Sequence, residues 1–322
     1  MTDARIGVLA GLATAGLWVV SGLSFTKSGQ ALGATRVNLL RTVAAAVVLC
    51  GLQWFALGRL LPGMSESALA WLSVSGVLGL TIGDQFLFTG YVMLGPRLVS
   101  VLMTLAPSMS AMLAWSVFGE SMSRVGVIGM LITTAGVAWA ALGRAGVDSP
   151  HTPRERRIGL MFGVAAALCQ AAGMVAAKRG LDQGVQAFDA QTIRMYAGAL
   201  TVIPLALLAR SAGLTVQARP SRRAFAILAL GVVSGPLLGV YFSMLSQAKV
   251  PVGVAATLIG LVPVLILPAT RMIDGERITV RACTGAVIAV AGIVVLSMGA
   301  SAPPDKTEPM PATAQPVAEI PR

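Results

Sequence analysis

The chain has 322 residues, of which 56% are hydrophobic and only 11% charged, with a mean hydropathy of +0.80. A soluble domain carries about 25% charged residues, so this composition excludes a water-soluble globular protein and places the chain in a membrane. The formal net charge of +11 comes from Lys and Arg spread thinly through the connections. With no basic stripe interleaved with aromatics, nucleic acid is not an expected partner; loop cations in membrane proteins set topology and meet anionic lipid.

Crossing roughly 30 Å of hydrocarbon takes about 20 apolar residues. In chain order the candidate spans are 6–25, 37–57, 67–94, 97–118, 124–143, 157–177, 190–209, 223–247, 250–272 and 280–300. The first follows Arg5 as a signal peptide would, yet it is longer than a signal core and further spans follow, so it reads as a membrane helix. The longest polar connection, Arg144–Arg157, carries Pro150, His151 and Pro153 and divides the chain nearly in half. Beyond Ala300 the sequence turns Pro-rich and has too little apolar surface to fold. Cys50, Cys169 and Cys283 sit singly in apolar runs, and His151 is the sole histidine. No metal site and no cofactor is expected from that set.

Self-comparison adds the main organisational fact. At an offset of 156 residues, 79–143 aligns with 235–299 without a gap. Gly79/Gly235, Gly83/Gly239, Pro107/Pro263, Gly119-Glu120/Gly275-Glu276, Gly129/Gly285 and Gly136/Gly292 coincide. At slightly smaller offsets Lys27 pairs with Lys178 and Arg41 with Arg194. Five spans is an odd number, so the second copy enters from the opposite side. The expectation is an all-α polytopic membrane protein of ten transmembrane helices in two inverted five-helix repeats. Such architectures belong to transporters, with the substrate site near the midplane between repeats.

These residues in this order resemble the EamA family of the drug/metabolite transporter superfamily over 5–300. The resemblance is carried by Trp18, Lys27, Arg41, Pro107, Gly119-Glu120, Gly129 and Ala135-Gly136, then by Lys178, Arg194, Pro263, Gly275-Glu276, Gly285 and Ala291-Gly292. The stretch from Gly83-Asp84-Gln85-Phe86 to Gly95-Pro96-Arg97-Leu98 resembles one branch of that family. Gln170 departs from the pattern, standing where Trp18 leads one to expect an aromatic. The resemblance implies a first EamA repeat at 1–143, a polar connection at 144–157, a second repeat at 158–300 and a disordered tail at 301–322. It also implies an inner or plasma membrane location and transport of a metabolite or drug. With the cytoplasmic termini it implies, the larger share of Lys and Arg would lie outside, against the positive-inside rule. A terminal reporter fusion separates the two orientations.

Asp84 is the one acidic residue well inside a predicted span. A carboxylate in hydrocarbon costs on the order of 2.5–3.5 kcal/mol, so it must face a cavity or a cation. It either binds a cationic substrate group or coupling proton, or pairs with Lys27, Arg41 or Arg97. Lys27, Arg41, Lys178 and Arg194 near helix ends are expected to snorkel to the interface; their recurrence supports a rival role as pathway or latch charges. Pro107 and Pro263 read as mid-helix kinks that either bend helices around the site during alternating access or improve packing. Trp18, Gln85, Tyr91, Gln170, Tyr241 and Gln247 are candidate substrate-binding residues, or bond between helices. The function expected is secondary transport of a small molecule, with the proton a candidate coupling ion, by a monomer or homodimer in the lipid bilayer. No catalytic residues are assigned. A non-transporting membrane receptor or assembly protein is the alternative, and an integral membrane enzyme would need a denser polar constellation.

Overall fold

The computed structural model describes residues 3–118, 123–141, 152–211, 221–249, 258–274 and 279–300. The Gly119-Glu120 and Gly275-Glu276 pairs, most of the 144–157 connection and the 301–322 tail lie outside the described residues. All regular structure in the described residues is helical. The first half holds α1 (Asp3–Leu32), α2 (Ala34–Leu57), α3 (Glu66–Leu94), α4 (Pro96–Met103, then Leu105–Phe118) and α5 (Arg124–Ala141). The second holds α6 (Pro153–Leu181), α7 (Ala187–Ser211), α8 (Arg222–Val232 through Val233–Gly239 to Val240–Lys249), α9 (Val262–Asp274) and α10 (Val280–Ala300). Among the described residues seven of these (α1–α4 and α6–α8) are long and apolar enough to cross a membrane, while α5, α9 and α10 are shorter apolar helices.

The joints between α1 and α2 and between α3 and α4 are single glycines. Gly33 (φ 86°) and Gly95 (φ 79°) hold the left-handed region that L side chains avoid, and Pro96 opens α4 where no backbone N–H is needed. α1 runs on to Gly33, so Lys27 lies inside the helix rather than after it. Lys178 likewise lies inside α6, exposed and bonded to Asp182 one turn on, at 3.2 Å.

Besides an apolar core, the molecule has an apolar exterior and a set of enclosed polar side chains. Phe55, Leu200, Met161 and Leu208 point outward, while Thr14, Asn38, Thr42, Gln53 and Asp84 are enclosed. Apolar residues outside and polar ones inside is the arrangement hydrocarbon requires. Thr14 and Ser28 are satisfied by bonding back to their own helix, Thr14 to the Ala10 carbonyl (2.9 Å) and Ser28 to that of Ser24 (2.8 Å).

The internal repeat is visible in detail. α3 and α8 each start on a serine cap, Ser65 and Ser221, and each widens to a π-helical turn, at Val77–Gly83 and Val233–Gly239. Those coordinates differ by the 156-residue offset of the sequence repeat. A π turn releases backbone carbonyls, and neighbouring helices supply donors for them. Gln170 Nε2 bonds the Gly79 carbonyl (3.3 Å) and Asn38 Nδ2 that of Thr81 (3.0 Å), while Ser21 Oγ bonds the Gly231 carbonyl just ahead of the second π turn (3.1 Å).

The repeats interlock. α1 packs antiparallel on α8: Ser21 lies against Gly235 and Gly231, and Trp18 against Gly239. α6 packs antiparallel on α3 in the equivalent way, with Gly173 on Gly79 and Gly180 on Leu72 and Ala68. α2 meets its own repeat mate α7, and α5 meets α10. In the α5–α10 contact Gly129 faces Gly292 and Leu296, while Gly136 faces Gly285 and Ala289. Antiparallel contact between repeat-equivalent faces is the signature of an inverted repeat.

Helical bonding is interrupted just ahead of Pro107 and of Pro263. α4 breaks at Thr104 and the helix restarts at Leu105; before α9 the chain turns at Gly260 and Leu261. Each proline therefore sits in the first turn of a new helical segment, and its missing N–H leaves the carbonyl four residues back without that bond. The Pro107→Ala, Pro263→Ala double variant is thus expected to shift stability by about 1 kcal/mol or less per site. Thermal unfolding in detergent checks this, and a loss far above that would favour the kink reading.

Candidate functional site

Asp84 is the first residue after the π turn of α3 and is 4% exposed. Arg41 of α2 donates from Nη2 to its Oδ2, forming an ion pair buried on both sides. Gln170 of α6 donates from Nε2 to its Oδ1 at 2.9 Å. One carboxylate is thereby held by a cation from the first repeat and an amide from the second. The expectation that Arg41 snorkels to the interface is overturned: it stands in the second turn of α2, 6% exposed, because Asp84 and two rings replace its water. Its guanidinium carbon lies 5.2 Å from the Phe88 ring centroid and 5.9 Å from that of Phe25, within cation–π range.

The surrounding polar side chains tie three helices together at this level. Thr42 Oγ1 donates to Asn38 Oδ1 (3.3 Å), and Asn38 reaches the Thr81 carbonyl on α3. Thr81 Oγ1 in turn meets the Gly198 carbonyl (3.1 Å) and Thr201 Oγ1 (2.7 Å) on α7. Arg194, the repeat mate of Arg41, enters from the same helix. Its Nη1 donates to Gln191 Oε1 (3.1 Å), and its charge acts on Asp84. Gly76 allows the approach: a Cβ there would lie 2.2 Å from the Arg194 carbonyl.

Asp84, Arg41, Gln170 and Arg194 thus form one cluster, and the other sequence candidates lie elsewhere. Trp18 is the pseudo-symmetric counterpart of Gln170, its indole against Gly239 as Gln170 is against Gly79. Gln85 donates to Thr35 of α2 at 3.1 Å, and its Oε1 is buried without a partner. Tyr91 packs two turns beyond Asp84 with its ring 6.2 Å from that of Phe88. Tyr241 is 60% exposed and stacks edge-on with Phe242, away from the cluster. Gln247 lies in α8, with its side chain outside the described residues. Lys27 is half-buried near the end of α1, and Lys178 keeps to its local pair with Asp182.

A second polar centre was not expected. Asp189 at the start of α7 accepts from Gln53 Nε2 (2.8 Å) and from Arg59 Nη2 (2.8 Å), bridging α7 to the end of α2. Its signal was present in the fully enclosed amide Gln53, which falls inside the predicted span 37–57. The cavity of about 250 Å³ lined by Ile6, Leu9, Ala10, Ala13, Phe242 and Leu245 is apolar and lies toward the start of α1, away from Asp84.

Interlocked apolar helices, an inverted repeat and a charged centre held from both halves define a polytopic helical membrane protein. The model of the EamA-like transporter family matches residues 5–142 and again 157–298, so the chain belongs to that family. A solved crystal structure shares the fold over 90% of this chain and 95% of its own, with a TM-score of 0.62 at 18% identity. A comparison with curated proteins gives no match.

Proposed function

We propose that this protein is a secondary transporter that moves a small metabolite or drug-like solute across the cytoplasmic membrane by alternating access. In this reading all ten helices span, repeats at 1–143 and 158–300 face each other inverted, and the protein works as a monomer or homodimer. The observation that carries it is Asp84, a carboxylate bonded simultaneously from α2 of one repeat and α6 of the other. Parting the α3–α6 contact would remove the Gln170 bond, and a buried carboxylate that loses a partner must gain a proton, a solute group or water. The charge state of the centre is thereby linked to the position of the helices.

The test is purified protein in proteoliposomes, screened against a metabolite panel with and without a proton gradient. Asp84→Asn gives up charge-assisted bonds worth about 1.5–3 kcal/mol, so saturable uptake is expected to fall by about tenfold to a hundredfold. Its dependence on external pH should flatten. Full transport with an unchanged pH profile in Asp84→Asn would remove the carboxylate from the mechanism. An absence of saturable flux for every solute would remove the transporter reading itself.

A further inference from the structure

We propose that the solute carries an anionic group, a carboxylate or a phosphate monoester, and that Arg194 is its docking cation. This rests on the transporter reading and specifies its substrate class. The argument begins with charge. The cluster holds two guanidinium groups, Arg41 and Arg194, against one carboxylate, Asp84, and that carboxylate is already taken by Arg41 and Gln170. The other carboxylate on α7, Asp189, is held by Arg59 and Gln53. Among the described residues Arg194 bonds only a neutral amide oxygen, that of Gln191, and its Nε is buried without an acceptor. Asp84 acts on Arg194 through space but is bonded to Arg41 and Gln170, so the cluster holds one guanidinium more than it has carboxylates; a guanidinium fork matches carboxylate and phosphate oxygens two at a time.

Space points the same way. Gly79, in the π turn of α3, leaves a gap no larger than a methyl group beside Gln170 and Arg194. A Cβ added at Gly79 would sit 3.5 Å from Gln170 Oε1 and 3.7 Å from Arg194 Nη2, in ordinary contact and without a clash. The gap therefore adjoins the guanidinium that forms no direct ion pair among the described residues. Asp84 disfavours a solute oxygen on its own side, so the anion enters over Arg194 rather than between Asp84 and Arg41.

Detergent-purified full-length protein would be titrated, at constant ionic strength, with small carboxylates, phosphate monoesters and their uncharged amides and alcohols. Thermal unfolding reports binding, and the same panel is run as uptake into proteoliposomes. One of the two anion classes is expected to raise the melting temperature while its uncharged analogues do not; which one does so identifies the group. Arg194→Gln should weaken that binding by about tenfold or more, one lost charge-assisted contact, and Arg194→Lys should keep part of it. Without ligand, Arg194→Gln should melt at or near the wild-type temperature, because it removes a half-buried cation that forms no direct ion pair; a purely structural arginine would melt well below it. Gly79→Ala, which fills the gap with no clash, should weaken anion binding and leave the unliganded melting temperature unchanged.

Equal stabilisation by acids and amides, or wild-type anion affinity in Arg194→Gln, overturns the proposal. Saturable flux of neutral or cationic solutes with no anion binding overturns it and leaves transport standing. Anion binding lost in Arg194→Gln, with no flux of any solute, supports the site and counts against transport. No binding and no flux overturn both.

Discussion

Replacing Arg41 with Met is expected to destabilise the protein by on the order of 3–5 kcal/mol, read as a large drop in detergent melting temperature. The loss comes less from the missing attraction than from what remains. Asp84 is 4% exposed, its Oδ2 would have no donor, and the Gln170 amide on Oδ1 cannot compensate a full charge. Phe25 and Phe88, whose rings stand 5.1 Å apart edge to face, would also lose the cation between them. The double variant Arg41→Met, Asp84→Leu should recover most of the stability, because exchanging a buried ion pair for apolar side chains is close to neutral. It should not recover transport. That split separates what the pair does for the fold from what the carboxylate does for function. A single variant that melts like wild type would mean that Asp84 is not charged against Arg41.

Placing Leu at both Gly129 and Gly136 of α5 should abolish a folded, monodisperse protein. A Cβ at Gly129 would stand 2.2 Å from the Leu296 nitrogen and 2.8 Å from the Gly292 carbonyl; at Gly136 it would stand 2.4 Å from the Ala289 nitrogen. These obstacles are backbone atoms and cannot turn aside, so α5 and α10 must separate along their whole contact. In hydrocarbon, close approach is itself the source of helix association, and overpacking a rigid contact costs about 1–3 kcal/mol or more per site. Gly16→Leu and Gly51→Leu serve as controls, since a Cβ at either position meets nothing within 4 Å. Size-exclusion profiles and melting curves of the two pairs should differ sharply. Equal behaviour would show that the α5–α10 contact does not hold the repeats together.

Much of this architecture was legible before any coordinates. The gapless alignment of 79–143 on 235–299 anticipated the matched glycines of α5 and α10, because an equal pattern of small residues buries in an equal way, but not the π turns that α3 and α8 share. Asp84 stood out because a carboxylate in an apolar run must be compensated. Three cations were open as its partner, and nothing local distinguishes them: Lys27, Arg41 and Arg97 all flank apolar runs. The place of the helix breaks beside the prolines was hidden for a related reason. Pro107 lies mid-run by hydropathy, but the helix break falls at Thr104, and a break followed by a restart leaves no trace in the apolar pattern.

The sequence by itself determined the membrane setting, the two repeats and the isolated intramembrane charge, since each follows from composition or from spacing along one chain. Only the tertiary structure decided the company that charge keeps. Arg41, Asp84, Gln170 and Arg194 come from four helices in both halves, and they meet because α6 lies antiparallel on α3 while α2 lies on α7. Gln170, a departure from the repeat at the level of sequence, is the residue that ties the second repeat to Asp84. Which helix faces are opposed is settled by the close fit of glycine against backbone, and that fit exists only once the halves have folded onto each other.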